Sequence, residues 1–268
     1  MGNRFLKNAA GLLTRRASWR FLVGGDDAFA GPVGDLRYAW AGALGLSLAW
    51  GVVSIWLWSL AWWLFGEPTG RLMPAAVLTT AALLGPPRRC VTAALHLLGG
   101  RDATSRALAA AVAAVVLAAG LASLQPDYYR QDAHLHWAVA WIRPWVKLHR
   151  VLLLMPLWGA WSMLITPQFV RPREGSDPVA AAFARGCSPL IATAVMGLLL
   201  ALTVTYLNFL PWEQWGVSAA IILSAIAAGL LCCRAEGGLT RRALLAGNAV
   251  TQLAVLLSYL AGRNLLYW

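Results

Sequence analysis

Apolar positions in this 268-residue chain come in long blocks separated by short polar breaks, a pattern that suits a bilayer better than water. One block, 38–66, runs 29 positions without a charged residue, enough to cross a membrane with tilt. The same pattern predicts spans at 107–124, 151–165, 191–210, 217–233 and 243–262. Segment 72–84 is apolar but short, and flanking residues would have to complete it. No stretch alternates apolar and polar residues over the roughly ten positions that a membrane barrel strand needs. The expected fold is therefore an all-α polytopic membrane bundle of six or seven transmembrane helices, with interfacial amphipathic helices added.

The breaks divide the chain further. Segment 1–37 is basic, with Arg4, Lys7, Arg15, Arg16 and Arg20 spaced by leucine and phenylalanine, and predicts a helix lying on an anionic leaflet. It has no short apolar core followed by a small-residue cleavage site, so it does not read as a cleaved signal peptide. Residues 38–268 then form one transmembrane domain. Segment 67–71 predicts a tight turn, and 180–187 a short surface helix. Segment 133–150 is rich in tryptophan and basic residues around Pro144; it predicts an interfacial helix, with a full crossing left open. The largest polar interruption of the front half is 84–106, LGPPRRCVTAALHLLGGRDATSR.

Composition agrees with the pattern. Hydrophobic residues make up 59% of the chain and charged residues 12%, more apolar surface than a soluble core of this length can bury. The 15 tryptophans sit largely at the ends of the apolar runs, as an interfacial belt would. The net charge of +11 would suggest nucleic acid in a soluble chain, but here it has a membrane explanation. With the N-terminus in the cytoplasm, the inner segments 1–37, 86–106, 166–190 and 234–242 hold 16 of the 22 Lys and Arg residues. That orientation implies a multi-pass protein of the inner (cytoplasmic) membrane, with lipid and other membrane subunits as partners and no nucleic acid. Cys90, Cys187, Cys232 and Cys233 lack metal-ligand spacing and indicate no disulfide framework.

Candidate chemistry is sparse. All 11 Asp and Glu residues fall in loops or at helix ends, which argues against an ion-coupled transporter, since such a protein needs a carboxylate within the membrane. Asn248 and Gln252 share one helix face and are expected to hydrogen-bond between helices. A haem would need histidines from two helices, such as His96 with His149; His136 and His149 are 13 residues apart, on different faces. No nucleophile elbow, zinc-protease, P-loop or dinucleotide motif is present. What remains is arginine: Arg88, Arg89, Arg101, Arg106, Arg171, Arg173, Arg241 and Arg242 all fall in the inner segments. Guanidinium forks bind phosphate in pairs of hydrogen bonds, so a phosphorylated ligand is one reading and lipid-headgroup contact the other.

Two stretches carry a resemblance to a known family. In GAWSMLITPQFVRPREGSDPVAAAF (159–183), Gly159, Met163, Pro167, Phe169, Arg171, Pro172 and Phe183 are similarly placed to the residues of a Gly-Arg-x-x-Met helix, its Pro-Tyr-Ala-Arg-Pro-like turn and the link that ends in Phe. In EGGLTRRALLAGNAVTQLAVLL (236–257), Gly237, Gly238, Thr240 and Leu244 or Leu245 match Gly-Gly-x-Thr-Gly-Asp-x-Leu-Gly-Ala in kind. Over roughly 38–260 the chain resembles the adenosylcobinamide-GDP ribazoletransferase (cobalamin synthase) family of polytopic membrane enzymes. In that family, acidic motifs would hold Mg²⁺ and the phosphates of the nucleotide-activated substrate. Here the first is replaced by GPPRRCVTAALH, the later Gly-Asp by Arg241–Arg242, and an Asp-Ser-Arg signature is missing from the Ala/Val run 107–120. The resemblance thus implies a divergent member without the metal site, because arginine cannot ligate a hard cation.

Three functions follow as expectations. The first is a non-catalytic accessory or structural subunit of a membrane complex, a pseudoenzyme with no cofactor. The second is a transferase for a phosphorylated substrate, taking Mg²⁺ from Asp102, Glu174, Asp177 or Glu236. The third is an electron-transfer subunit holding haem b through His96, His136 or His149.

Overall fold

The computed structural model describes residues 39–100, 102–124, 147–172, 177–207 and 211–264. The basic segment 1–37 and most of 133–150 lie outside these. The described residues are helices joined by short turns, with no strand among them. The helices are α1 (Ala39–Thr69), α2 (Leu72–Leu84), α3 (Arg88–Gly99), α4 (Ala103–Ala122), α5 (Lys147–Phe169), α6 (Pro178–Gly186), α7 (Pro189–Leu207), α8 (Pro211–Glu236) and α9 (Arg241–Asn264). Six of them, α1, α4, α5, α7, α8 and α9, are long and apolar enough to cross a membrane, and α2 is a shorter apolar helix. The protein is a multi-pass membrane bundle in contact with lipid.

The bundle is organised around α5, which packs on α1, α7, α8 and α9. Sixteen of its 23 residues are buried, whereas α4, the more apolar of the two, buries only Gly120 and Leu121. Trp158 and Trp161 of α5 stack edge to face at 5.3 Å and are wholly buried. Each indole finds an acceptor on α7: Trp158 Nε1 donates to Thr203 Oγ1 at 3.0 Å, and Trp161 Nε1 to the Ala192 carbonyl at 2.9 Å. These two tryptophans therefore belong to the core and not to an interfacial belt, because a buried indole is stable once its N–H is met. Glycines let the helices approach closely. A Cβ on Gly159 would meet Asn248 at 2.9 Å, and one on Gly229 would collide with Thr166.

Two apolar clusters mark the two ends of the bundle. One gathers mostly small residues, among them Ala39, Cys90, Ala93, Cys232 and Ala243, with Phe183 beside them, and joins α3 and α6 to the start of α1, α7 and α9 and the end of α5 and α8. The other is built of large ones, among them Trp58, Leu121, Leu148, Trp158, Tyr206 and Tyr259. The described parts of segments 86–106, 166–190 and 234–242 accordingly meet at the small-residue end.

Several sequence boundaries move. Segment 67–69 continues α1, so the turn there is shorter than expected. PWEQW (211–215) opens α8 with proline in its first turn, where the missing N–H costs nothing, and Glu213 beside it suits the positive end of the helix dipole. Residues 147–150 are the first turn of α5 and not part of a surface helix; Leu148 and Arg150 are buried there. Arg150 Nη1 donates to the Tyr206 carbonyl in the last turn of α7 at 3.1 Å, which meets one of the donors of a guanidinium that sits 1% exposed. The short helix expected on the surface at 180–187 exists as α6, but Val179, Ala180, Ala182 and Phe183 are buried. Asn248 and Gln252 bond to each other, Gln252 Nε2 to Asn248 Oδ1 at 2.6 Å, and pack on Gly159 of α5, with a long hydrogen bond from Asn248 Nδ2 to Met163 Sδ at 3.8 Å.

Candidate functional site

The interruption 84–106 folds largely into α3, and its residues divide by helical spacing into two faces. Arg89, Thr92, Ala93 and His96, at steps of three and four, line a cavity of about 450 Å³ at the small-residue end of the bundle. Asp177 and Val179 of the α6 start, Glu236 of the α8 end, and Thr240, Arg241, Arg242 and Leu245 of the α9 start complete the wall. Three of the eight candidate arginines thus meet around one space.

The α8–α9 turn explains how Arg241 and Arg242 come to be there. Gly237 and Gly238 adopt φ of 73° and 152°, values open to glycine at little cost. Gly238 N–H donates to the Cys233 carbonyl at 2.8 Å, closing the end of α8, and Thr240 Oγ1 accepts from Ala243 N–H at 3.0 Å, starting α9. Gly237, Gly238 and Thr240, which carry half of the family resemblance, are thus occupied in ending one helix and starting the next.

Both carboxylates of the cavity are engaged. Asp177 Oδ1 accepts the N–H groups of Val179 and Ala180, each at 3.0 Å, and its Oδ2 accepts Arg241 N–H at 2.6 Å. One side chain therefore caps α6 and ties the start of α9 to it, sitting where a phosphate oxygen would sit on a helix N-terminus. Glu236 Oε1 pairs with Arg242 Nη1 at 3.5 Å, and Arg242 is largely exposed. Arg89 differs: its Nε is buried and has no hydrogen-bond partner among the described residues. Burial pushes the thiol of Cys90, next to Arg89 on α3, up to about 12, with the Arg241 guanidinium pulling the other way.

The remaining candidates lie elsewhere. Arg88 is exposed and does not line the cavity, and Arg171 is exposed beyond the end of α5. Arg106, on α4, donates through Nη1 to His96 Nδ1 at 3.2 Å and so borders the cavity by way of that histidine. Arg101, Arg173, Glu174 and His136 lie outside the described residues. Asp102 caps α4, accepting Ser105 N–H at 2.8 Å, and that bond holds its carboxyl below the usual range. His149 sits near Ser59 at the large-residue end, 3.4 Å away, so roughly 30 Å of helix separates it from the end where His96 lies. The structure does not bring those two histidines together, and among the described residues no three His, Cys, Asp or Glu side chains converge as metal ligands do.

Sequence reasoning missed Glu213, 4% exposed with Oε2 unpartnered among the described residues, and the burial of Arg150. Charge near a helix end looks the same in sequence whether it faces water or the bundle. Comparison with family models, with curated proteins and with solved structures gives no match.

Proposed function

We propose that this chain is a non-catalytic accessory subunit of a membrane complex, on a cobalamin-synthase-like bundle, whose arginine-lined cavity receives a phosphate-bearing group. One observation carries the reading. In the cavity Asp177 and Glu236 are already committed to helix caps and an ion pair, while the buried Arg89 Nε has no partner. A buried donor left unmade costs about 1–3 kcal/mol, and an anionic oxygen would recover that. Metal-dependent transfer would instead need carboxylates free to bind a hard cation. The basic segments at this end favour its placement on the cytoplasmic side of the inner membrane, with the N-terminus there.

The test is purification from native membranes in mild detergent, with mass spectrometry and an absorption spectrum on one sample. Stoichiometric partner subunits without a haem absorption band are expected. A protein that purifies alone and turns over a phosphorylated substrate would overturn the reading.

A transferase acting on a nucleotide-activated substrate stands second. What favours it is that α3 and the α9 start, where the family motifs would fall, face one cavity with two carboxylates in its wall. Charge reversal at Arg88 and Arg89 abolishes activity under this reading and leaves partner activity intact under the first.

A further inference from the structure

The opposite face of α3 borders a second space. Pro87, Cys90, Val91, Ala94, Leu95 and Leu98 lie half a turn round the helix from Arg89 and line an apolar cavity of about 140 Å³. Leu78, Leu121, Leu152 and Met155 close it from α2, α4 and α5. A smaller cavity of about 40 Å³ adjoins it, and Trp50, Pro87, Cys90, Pro156 and Gln252 belong to the walls of both. Ser47 and Asn248 add polar groups to the smaller lobe. Gln252 lies midway along the 24-residue α9, at a depth where lipid tails offer no hydrogen bond. Its Nε2 donates to Asn248, so among the described residues the oxygen is the acceptor that this half-buried carboxamide, part of both walls, has left to offer. Pro156, inside α5, also removes the amide hydrogen that would have met the Leu152 carbonyl beside the larger lobe.

We propose that this two-lobed cavity is a binding site for a small neutral amphiphile. A ring-sized apolar body occupies the larger lobe, and one hydroxyl or N–H donor is held by the Gln252 oxygen. An engineered apolar cavity of about 150 Å³ binds benzene and otherwise stays dry, and the larger lobe is of that size. Water in the smaller lobe would satisfy the acceptor and leave the larger lobe empty. An acyl chain would fill the larger lobe and leave the acceptor bare. Only a molecule with both parts meets both walls. The site is separate from the arginine cavity, which lies across α3, and stands or falls independently of it.

The probe is 4-fluorophenol, compared with fluorobenzene by ¹⁹F NMR on the full chain in detergent. The wild type is expected to bind the phenol roughly tenfold more tightly than fluorobenzene, the difference one buried hydrogen bond makes. Gln252→Leu removes that preference and keeps ring binding; Ala94→Phe fills the larger lobe and abolishes both. Should Ala94→Phe fail to fold, Ala82→Leu blocks the same lobe. Equal binding of the two probes by the wild type overturns the proposal. So does binding that both filling variants leave unchanged, or a diacyl lipid retained in the site by native mass spectrometry.

Discussion

Arg150 and Arg89 are the same residue type at opposite ends of one bundle, and their neighbours give them different work. At the large-residue end, tryptophan, tyrosine and leucine close the space around Arg150, and its guanidinium is driven onto the Tyr206 carbonyl. At the other end the packing residues are chiefly alanine and cysteine, and Arg89 lines an open cavity with its Nε unmet. Large side chains consume the volume that would otherwise admit a ligand, so the buried arginine there becomes part of the scaffold. Small side chains bring helices together without filling the space beyond them, which leaves an arginine facing a void.

That contrast can be broken most forcefully at Arg150. Arg150→Met removes a charged donor from a closed site and is expected to cost about 2–3 kcal/mol, read as a lowered thermal transition in detergent. Arg89→Met should keep the transition or raise it, by up to about 1–3 kcal/mol, since it deletes a buried donor that is unmet among the described residues. A large loss at Arg89 would show that it too is scaffold. Next in size is Asp177→Ala, which takes one carboxylate from three backbone N–H groups. About 1–2 kcal/mol of stability should go, with faster amide exchange confined to the starts of α6 and α9. Arg242→Ala breaks only a largely exposed ion pair and is expected to change stability by less than about 0.5 kcal/mol.

The smallest effect is at Asp102. The Ser105 N–H lowers its carboxyl in the folded state, so the cap contributes fully above the ordinary carboxylate value and is lost as pH falls through the lowered one. Asp102→Asn should remove that acid-side decline at the α4 start. A decline of the same size in the variant would assign it to another group.

The spans were legible because apolar length is a one-dimensional property: α1, α2, α4, α7, α8 and α9 fall within a few residues of the expected runs, and capping residues such as Asp102 and Thr240 account for the added turns. Which spans face lipid was not legible, because α4 and α5 are both apolar enough to cross a membrane and yet opposite in burial. Trp158 and Trp161 show the same limit, since an indole reads as interfacial until a partner such as Thr203 appears 45 residues away. At the site, the arginines were visible as a set. Their sorting into Arg89, Arg241 and Arg242 around one cavity, and Arg88 and Arg171 outside it, required the helical phase of α3 and the α8–α9 turn. The role of Asp177 was hidden for the same reason: its partner Arg241 is 64 residues distant.

The most direct test of the account is calorimetric titration of inorganic pyrophosphate into the detergent-solubilised protein in the presence of EDTA. Binding without a divalent ion, weakened at least about tenfold by Arg89→Gln, is the predicted result, because the guanidinium is the phosphate's main unsatisfied partner. Binding that appears only when Mg²⁺ is restored, or that Arg89→Gln leaves untouched, would contradict it.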